Sequence, residues 1–334
     1  MTSLIQTEHL SKTYRVPIRP PGLRAACKSL FHPSFQEVQA VQDVSFSIAS
    51  GELVGFIGPN GAGKTTSLKM LSGLLYPTAG AATAAGYVPW ERKTAYLRQI
   101  SMLMGNRSQL QWNNTVYDTM QIFGEIYNLP RSDFRRNLDE LTAMLEVEPL
   151  LQKRARNLSL GERSKCELIL ALLHRPSIVY LDEPTLGMDV SMQLRLRQYI
   201  RRYNAQYGAT ILLTSHYMSD IVSLCPRVLL IHGGRLMYDG KLAALTDRLA
   251  PYRLVTLTLP DGNPPLTADT LRQQNIPAEL TGREENTVTL RTRKEDAVAV
   301  LSALMGRYAL ASLTVAEPPI EAVIDRIYAE GGIA

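Results

Sequence analysis

Residues 53–66 carry the sequence LVGFIGPNGAGKTT, in which a short apolar run passes directly into a glycine-rich loop. An apolar run without alternation is typical of a strand that is buried on both faces of a parallel sheet. The loop matches the pattern G-x-x-x-x-G-K-[ST], and a helical pattern follows it, which is the strand–loop–helix context of a phosphate-binding loop. Glycines let backbone N–H groups approach phosphate oxygens closely. We expect a bound nucleotide to contact Gly58, Pro59, Asn60, Gly61, Ala62, Gly63, Lys64, Thr65 and Thr66.

A second motif, IVYLDEPT, places two acids at the end of another apolar run. Adjacent carboxylates at a buried strand end are unfavourable unless a cation uses them. Asp182 is predicted to hold Mg²⁺ together with the Thr65 hydroxyl, while Lys64 reaches the β- and γ-phosphates. Glu183 is predicted to act as the general base for an attacking water. A phosphate-binding loop alone is compatible with kinases, GTPases and many ATPases. With the second motif, these residues predict hydrolysis of a nucleoside triphosphate, with Lys64 and Glu183 as catalytic groups.

The order of apolar runs predicts an α/β fold. Further buried-strand patterns occur at 178–181, 210–213 and 227–231. Because they alternate with helical segments, they predict an α/β core. The more polar stretch 92–158 is predicted to be a helical insert in an ATP-binding domain of residues 1–250. Residues 251–334 are predicted to form a small α+β domain in the order βαβαβα, with strands at 254–259, 287–292 and 310–315.

Composition limits the function classes. The 334 residues carry a net charge of +5, which is a weaker basic character than nucleic-acid binders usually show. The three cysteines, Cys27, Cys166 and Cys225, form no CxxC pair, so we do not expect a zinc site. Three free thiols fit a reducing compartment, which we therefore expect. We find no apolar run of about 18 residues and no signal-peptide pattern, so we expect the chain in the cytoplasm.

A third motif, LSLGE at 158–162, precedes a helix that leads to the LDEPT strand, and a histidine follows TILLTS. In this order the motifs resemble the ABC ATPase family over about residues 4–240. The phrases GYVPWERK, LSLGERSKCELILALLHRP and LLTSHYMSDI resemble the exporter ATPases that pair with separately encoded permeases. The resemblance implies the P-loop ABC-type ATPase core with its helical insert. It also implies that two such subunits close head to tail on two ATP molecules.

The resemblance assigns further site residues. It implies that Ser159 and the Gly161 backbone touch the γ-phosphate of ATP held by the opposite subunit. A hydroxyl and a glycine N–H at a helix N-terminus suit an anion. His216 matches the switch histidine that contacts the γ-phosphate and the attacking water. Asp189 matches the Asp loop at the dimer interface, and Tyr14 matches the aromatic residue that stacks on adenine.

The chain departs from the family pattern at two motifs. Where the family has a glutamine that senses Mg²⁺, Asn106 stands at the matching position, and Gln109 is the alternative. The LSLGE motif corresponds to the signature motif of the family and is called the signature below. It has Leu160 in place of glycine and Glu162 in place of glutamine. A carboxylate beside a triphosphate is electrostatically unfavourable, so we expect Glu162 to point away from the phosphates.

The segment between Tyr14 and Ala40 is longer than the usual family connection. Its stretch GLRAACKSLF, at 22–31, has apolar residues at helical spacing with basic residues between them. It is interpreted as a short amphipathic helix. Two roles stay open for it: packing on its own domain, or contact with a permease or lipid headgroups.

The expected partners follow from the resemblance: membrane permease subunits and a second copy of the chain, at the cytoplasmic face of the cell membrane. No nucleic acid is expected. The first alternative is a soluble ABC ATPase that acts on ribosomes or DNA. Another is a module that binds ATP without hydrolysis, which the presence of Glu183 and His216 disfavours. The transported substrate and the choice between homodimer and heterodimer stay open, and the resemblance favours export.

Overall fold

The structure is a computed structural model that describes residues 3–18, 35–105, 108–215, 217–260 and 262–330. The chain divides into two compact units, Met1–Lys241 and Leu242–Ala334. The second unit begins before the boundary predicted at Pro251. Helix α8 (Leu242–Leu249) belongs to it because this helix packs against the last helix, α11 (Ile320–Glu330).

A six-stranded sheet forms the centre of the first unit, in the order β5-β6-β7-β3-β8-β9. Its strands are β3 (Leu53–Ile57), β5 (Ile100–Met104), β6 (Ile178–Asp182), β7 (Thr210–Thr214), β8 (Arg227–His232) and β9 (Arg235–Lys241). All neighbours are parallel except β8 and β9. The carboxyl ends of the parallel strands therefore meet at one edge, where ligands of α/β sheets bind. The α/β fold predicted from the sequence is confirmed.

A smaller antiparallel sheet packs on the central one, in the order β2-β1-β4. Its strands are β1 (Ser3–Pro17), β2 (Phe35–Ala49) and β4 (Ala79–Ala84). Ile5, Phe46 and Ile48 from this sheet share one buried core with Phe56 and Tyr180 of the central sheet. The hairpin of β1 and β2 extends to the pair Pro17 and Phe35. The amphipathic helix predicted at 22–31 lies outside the described residues.

The helices of the first unit follow the strands. They are α1 (Lys64–Leu71), α2 (Thr94–Leu97), α3 (Val116–Ile126), α4 (Arg131–Leu145), α5 (Leu160–Leu172), α6 (Val190–Tyr207) and α7 (Met218–Leu224). The stretch predicted as a helical insert, 92–158, also contains β5. That strand pairs with β6 and is a member of the central sheet. The insert proper is therefore the shorter helical segment from α3 to the 3₁₀ turn Ala155–Asn157.

The second unit contains a four-stranded antiparallel sheet in the order β11-β12-β10-β13. Its further elements are β10 (Tyr252–Thr258), α9 (Ala268–Gln273), β11 (Ala278–Glu284), β12 (Thr287–Arg293), α10 (Ala297–Met305) and β13 (Ser312–Ala316). The order β-α-β-β-α-β is the ferredoxin-like arrangement. The predicted order βαβαβα lacks β11. This strand, AELTGRE, lies at the edge of the sheet and is mostly exposed, so its sequence has no apolar alternation.

Among the described residues, no helix combines the length and the apolar character needed to cross a bilayer.

Candidate nucleotide-binding and hydrolysis site

The glycine loop joins β3 to α1, and its backbone lies so close to neighbouring segments that a side chain on some of its glycines would clash with them. Gly61 and Gly63 have φ of +80° and +105°, in the region that favours glycine. A Cβ atom on Gly63 would lie 2.4 Å from the carbonyl oxygen of Ala40, and one on Gly58 would lie 2.4 Å from that of Ile231. The loop is therefore fixed by close contacts with neighbouring backbone.

Lys64 begins α1 and is buried above this loop. Its Nζ donates to the carbonyl oxygen of Gly58 at 2.5 Å and to that of Pro59 at 3.0 Å. Burial lowers the pKa of Lys64, while the nearby carboxylates of Glu183 and Asp182 oppose this shift. A partly desolvated ammonium interacts strongly with an anion, so Lys64 is suited to bind phosphate oxygens.

Thr65 and Asp182, which come from the two sequence motifs, are hydrogen-bonded to each other. The Thr65 hydroxyl donates to Oδ2 of Asp182 at 2.8 Å and lies 3.1 Å from Oδ1. The Thr214 hydroxyl, at the end of β7, donates to the same carboxylate at 2.7 Å. One alcohol and one carboxylate are the oxygen donors with which proteins bind Mg²⁺ beside phosphates, so this pair fits the ion. Within the described ranges, no group of three or more His, Cys, Asp or Glu side chains could hold a metal.

Glu183 directly follows the last residue of β6 and has an unusual backbone. Its φ is +56°, which costs roughly 1–2 kcal/mol for a residue with a Cβ atom. Its N–H donates to both the carbonyl and the hydroxyl oxygen of Thr214, each at 3.1 Å. Gly105 approaches so closely that a Cβ there would lie 2.7 Å from the Glu183 carbonyl oxygen. The neighbouring strand ends therefore hold Glu183 in this conformation.

Sequence reasoning missed Thr214 and Gly105 as parts of this site. Each follows or ends an apolar strand next to β6, and a polar residue or glycine at that point is a usable signal. Their roles depend on which strands are neighbours, and the order of the sheet is not visible in the motifs.

The signature forms the N-terminus of α5 through a capping box. The Ser159 hydroxyl oxygen accepts from the Glu162 N–H at 3.2 Å, and the Glu162 carboxylate accepts from the Ser159 N–H at 2.8 Å. Lys153 contacts the same carboxylate at 3.0 Å. The Ser159 N–H and, next, Lys153 lower the pKa of Glu162. The negative charge is thus compensated within the chain, and the Ser159 hydroxyl retains a proton to donate.

The signature contacts the loop that follows LDEPT. Leu160, which is 56% exposed, lies against Gly187, where a Cβ atom would come 2.4 Å from Leu160 Cδ2. Asp189 then caps α6 by accepting from the Met192 N–H at 2.9 Å. The Ser191 hydroxyl and the Met192 N–H lower the pKa of Asp189. The residue that departs from the family pattern, Leu160, therefore joins the signature to the Asp loop.

The remaining predicted residues have different outcomes. Tyr14 lies on β1 with 36% of its surface exposed, and the Lys12 ammonium is 5.5 Å from its ring centre. Asn106 and His216 lie outside the described residues. Gln109, the alternative to Asn106, donates its side-chain amide to the carbonyl oxygen of Met102 at 3.0 Å.

The residues of the candidate site form two groups. Lys64, Thr65, Asp182 and Glu183 surround the glycine loop, an arrangement suited to binding a triphosphate with its metal and to activating water. Ser159, Leu160 and Gly161 join the Asp loop as a second group, since Gly161 also lies beside Met192.

Comparison with known proteins gives consistent results. Residues 41–186 match the family model described as ABC transporter. The ABC transporter ATP-binding protein NatA of Bacillus subtilis is 34% identical over 221 residues, which cover 66% of this chain and 89% of that protein. The Nod factor export ATP-binding protein I of Ralstonia nicotianae is 32% identical over 225 residues, covering 66% of each chain.

A solved structure of an ATP-binding subunit of an ABC transporter superimposes with a TM-score of 0.62 at 26% identity. The match covers 74% of this chain and 93% of that one. The chain therefore belongs to the ATP-binding subunits of ABC transporters, which hydrolyse ATP to power transport.

Proposed function

We propose that this chain hydrolyses ATP in a head-to-tail pair with a second copy of itself and thereby drives export through a membrane permease. The observation that carries the proposal is the 2.8 Å contact of the Thr65 hydroxyl with Asp182, beside a buried Lys64. That contact brings the phosphate loop and LDEPT together, which supports a single triphosphate site.

In this site the chain's own groups have distinct roles. The loop N–H groups and Lys64 bind the phosphates. Thr65 and Asp182 would hold Mg²⁺, which when bound would supply positive charge that offsets the negative charge on the phosphate oxygens. Glu183 accepts a proton from the attacking water, and His216 is assigned to orient that water beside the γ-phosphate. Tyr14 stacks on adenine, and Asn106 is the proposed additional contact of the metal.

In the second copy, Ser159 and the Gly161 N–H complete the site by contacting the γ-phosphate. The capping box supports this role, because a helix N-terminus with a serine hydroxyl suits an anion. The Leu160 contact with Gly187 supports coupling of the signature to Asp189 at the interface. Closure of the pair on ATP is then the movement transmitted to the permease.

Export is the direction supported by relatives. One similar protein is named a Nod factor export ATP-binding protein. A protein of Escherichia coli that is named a probable multidrug ABC transporter ATP-binding protein is 31% identical over 208 residues. We place the chain at the cytoplasmic face of the membrane, bound to permease subunits. The alternative of a ribosome- or nucleic-acid-acting ATPase is not favoured, because these relatives are named as transporter subunits.

A cysteine cross-link tests the head-to-tail pair. Asn60→Cys and Leu160→Cys would be combined with Glu183→Gln, which slows hydrolysis, and with Cys27→Ser, since Cys166 and Cys225 are buried. A short bismaleimide should join two chains only when ATP and Mg²⁺ are present. Chains with one of the two cysteines are the matched controls and should stay uncrosslinked. Absence of the ATP-dependent product, or an equal product from either single-cysteine chain, would contradict the proposed arrangement.

A further inference from the structure

Asp220 is a buried carboxylate that the mechanism above does not use. It lies on α7 with no exposed surface. Its Oδ2 accepts from the hydroxyls of Thr185 and Ser215, each at 2.6 Å. Its Oδ1 accepts from Nε of Arg197, also at 2.6 Å. A buried charge requires such compensation, and here two of its three partners come from the loops at the ends of β6 and β7.

The two hydroxyls belong to residues that are near Glu183, one along its own loop and one next to its hydrogen-bond partner Thr214. Thr185 is two residues after Glu183 in the same loop. Ser215 directly follows Thr214, whose carbonyl and hydroxyl oxygens accept from the Glu183 N–H at 3.1 Å. Glu183 is therefore linked to Oδ2 of Asp220 in two ways. One link runs along its own loop to Thr185, and the other runs across to β7 and Ser215.

The backbone of Glu183 needs such support. Its φ of +56° is unfavourable for a residue with a side chain, and such conformations persist only where the surroundings determine them fully. The turn after Glu183 is also constrained, because Leu186 N–H donates to the Glu183 carbonyl oxygen at 3.2 Å and Met188 N–H donates to that of Thr185 at 3.2 Å.

The same network reaches the Asp loop. Arg197 also contacts Oε1 of Gln193 at 3.3 Å, and the Gln193 amide donates to the carbonyl oxygen of Met188, the residue before Asp189. The contacts that define the nucleotide cradle are made by other groups: Thr65 and Thr214 hold Asp182, and loop carbonyls hold Lys64.

We propose that Asp220 is a positioning residue that holds Glu183 in its hydrolytic conformation through Thr185 and Ser215. Loss of these bonds should slow hydrolysis and leave ATP binding intact. This inference rests on the proposed role of Glu183 as the base, and it adds the device that orients that base.

Thr185→Val tests the proposal with the smallest change, since it removes one hydroxyl and keeps the buried charge pair of Asp220 with Arg197. We expect kcat to fall about tenfold, as for a displaced catalytic group, with the Kd for ATP unchanged. Thr185→Ser, which restores a hydroxyl, should recover most of the rate. Thr142→Val is the matched control: this buried threonine donates within helix α4, to the Leu138 carbonyl oxygen at 2.8 Å, and its loss should leave kcat unchanged.

The double variant Thr185→Val with Glu183→Gln separates positioning from general destabilisation. If Thr185 acts through Glu183, its substitution should add no further loss of rate once Glu183 is gone. The inference is overturned if Thr185→Val slows turnover no more than Thr142→Val, or by the same factor with and without Glu183. Near-normal turnover of Glu183→Gln alone would instead remove the proposed base, and this inference with it.

Discussion

The phosphate loop and the signature each stand at the N-terminus of a helix, yet their conformations are held in different ways. The loop depends on tertiary contacts between backbones, with Gly58 and Gly63 pressed against the carbonyls of Ile231 and Ala40. The signature is held locally by side chains, through the capping box of Ser159 and Glu162. Backbone contacts leave no room for another side chain, whereas a capping box works with several residue types.

This difference explains the two departures from the family pattern in the signature. The phosphate loop keeps every position of the motif. The signature tolerates Leu160 because Gly187 has no side chain at the point where Leu160 packs. It tolerates Glu162 because Lys153 compensates the negative charge of the carboxylate. We therefore expect changes in the loop to have larger effects than changes in the signature.

The largest effect is expected for Gly63→Ala. The new Cβ would lie 2.4 Å from the Ala40 carbonyl oxygen, so the loop must move and its N–H groups lose their alignment. Loss of two or more phosphate hydrogen bonds should weaken ATP binding by roughly a hundredfold, measured by calorimetric titration. Gly86→Ala is the control. Gly86 also has a positive φ, of +79°, but no atom lies within 4 Å of the new Cβ.

Gly86→Ala should therefore lower stability by about 1–2 kcal/mol through strain and leave ATP affinity unchanged. Equal ATP affinity of the Gly63 variant and the wild type would mean that backbone crowding does not define the loop.

An intermediate effect is expected at the contact between the signature and the Asp loop. Gly187 has a φ of +75°, which strains any residue with a Cβ atom, and the new Cβ would lie 2.4 Å from Leu160 Cδ2. Gly187→Ala should therefore shift the loop and the Leu160 side chain and slow hydrolysis about tenfold. Adding Leu160→Ala should recover part of the rate, with a coupling of roughly 0.5–3 kcal/mol for residues in contact. Simple addition of the two single effects in steady-state ATPase assays would rule out the contact as a link.

The smallest effect is expected for Glu162→Gln. The amide oxygen can still accept from the Ser159 N–H, so at neutral pH only about 0.5 kcal/mol of stability should be lost with the charge. The folded pKa of Glu162 is lowered, so its charge stabilises the fold above its unfolded pKa of about 4.3 and the benefit disappears as pH falls through the folded pKa. Urea unfolding of the two proteins should therefore converge in acid. A difference that persists there would assign the effect to something other than the charge.

The sequence allowed prediction of the parts whose chemistry lies within one motif. The glycine loop and the Asp182–Glu183 pair could be predicted because each lies at the end of a buried apolar strand. Glycines follow the first strand, and two acids stand at the end of the second. The order of the strands in the sheet could not, and therefore neither could the convergence of Thr214 and Gly105 on Glu183.

The missed strand β11 has a related cause. Edge strands are exposed and polar, so the segment AELTGRE lacks the apolar alternation by which strands are predicted. The contact of Leu160 with Gly187 was also unpredictable, since it joins segments that are separated by a helix and a strand. The pattern of residues within a segment therefore allowed its structure to be predicted, whereas the contacts between segments could not be predicted from it.

Hydrolysis is expected to depend most directly on Glu183 beside an intact triphosphate site. Glu183→Gln should lower ATP turnover by about 10²-fold or more, on the scale of losing one group that acts in the transition state, while the Kd for ATP with Mg²⁺ stays at the wild-type value. Turnover within about twofold of wild type, on the scale of an ordinary surface change, would contradict the account.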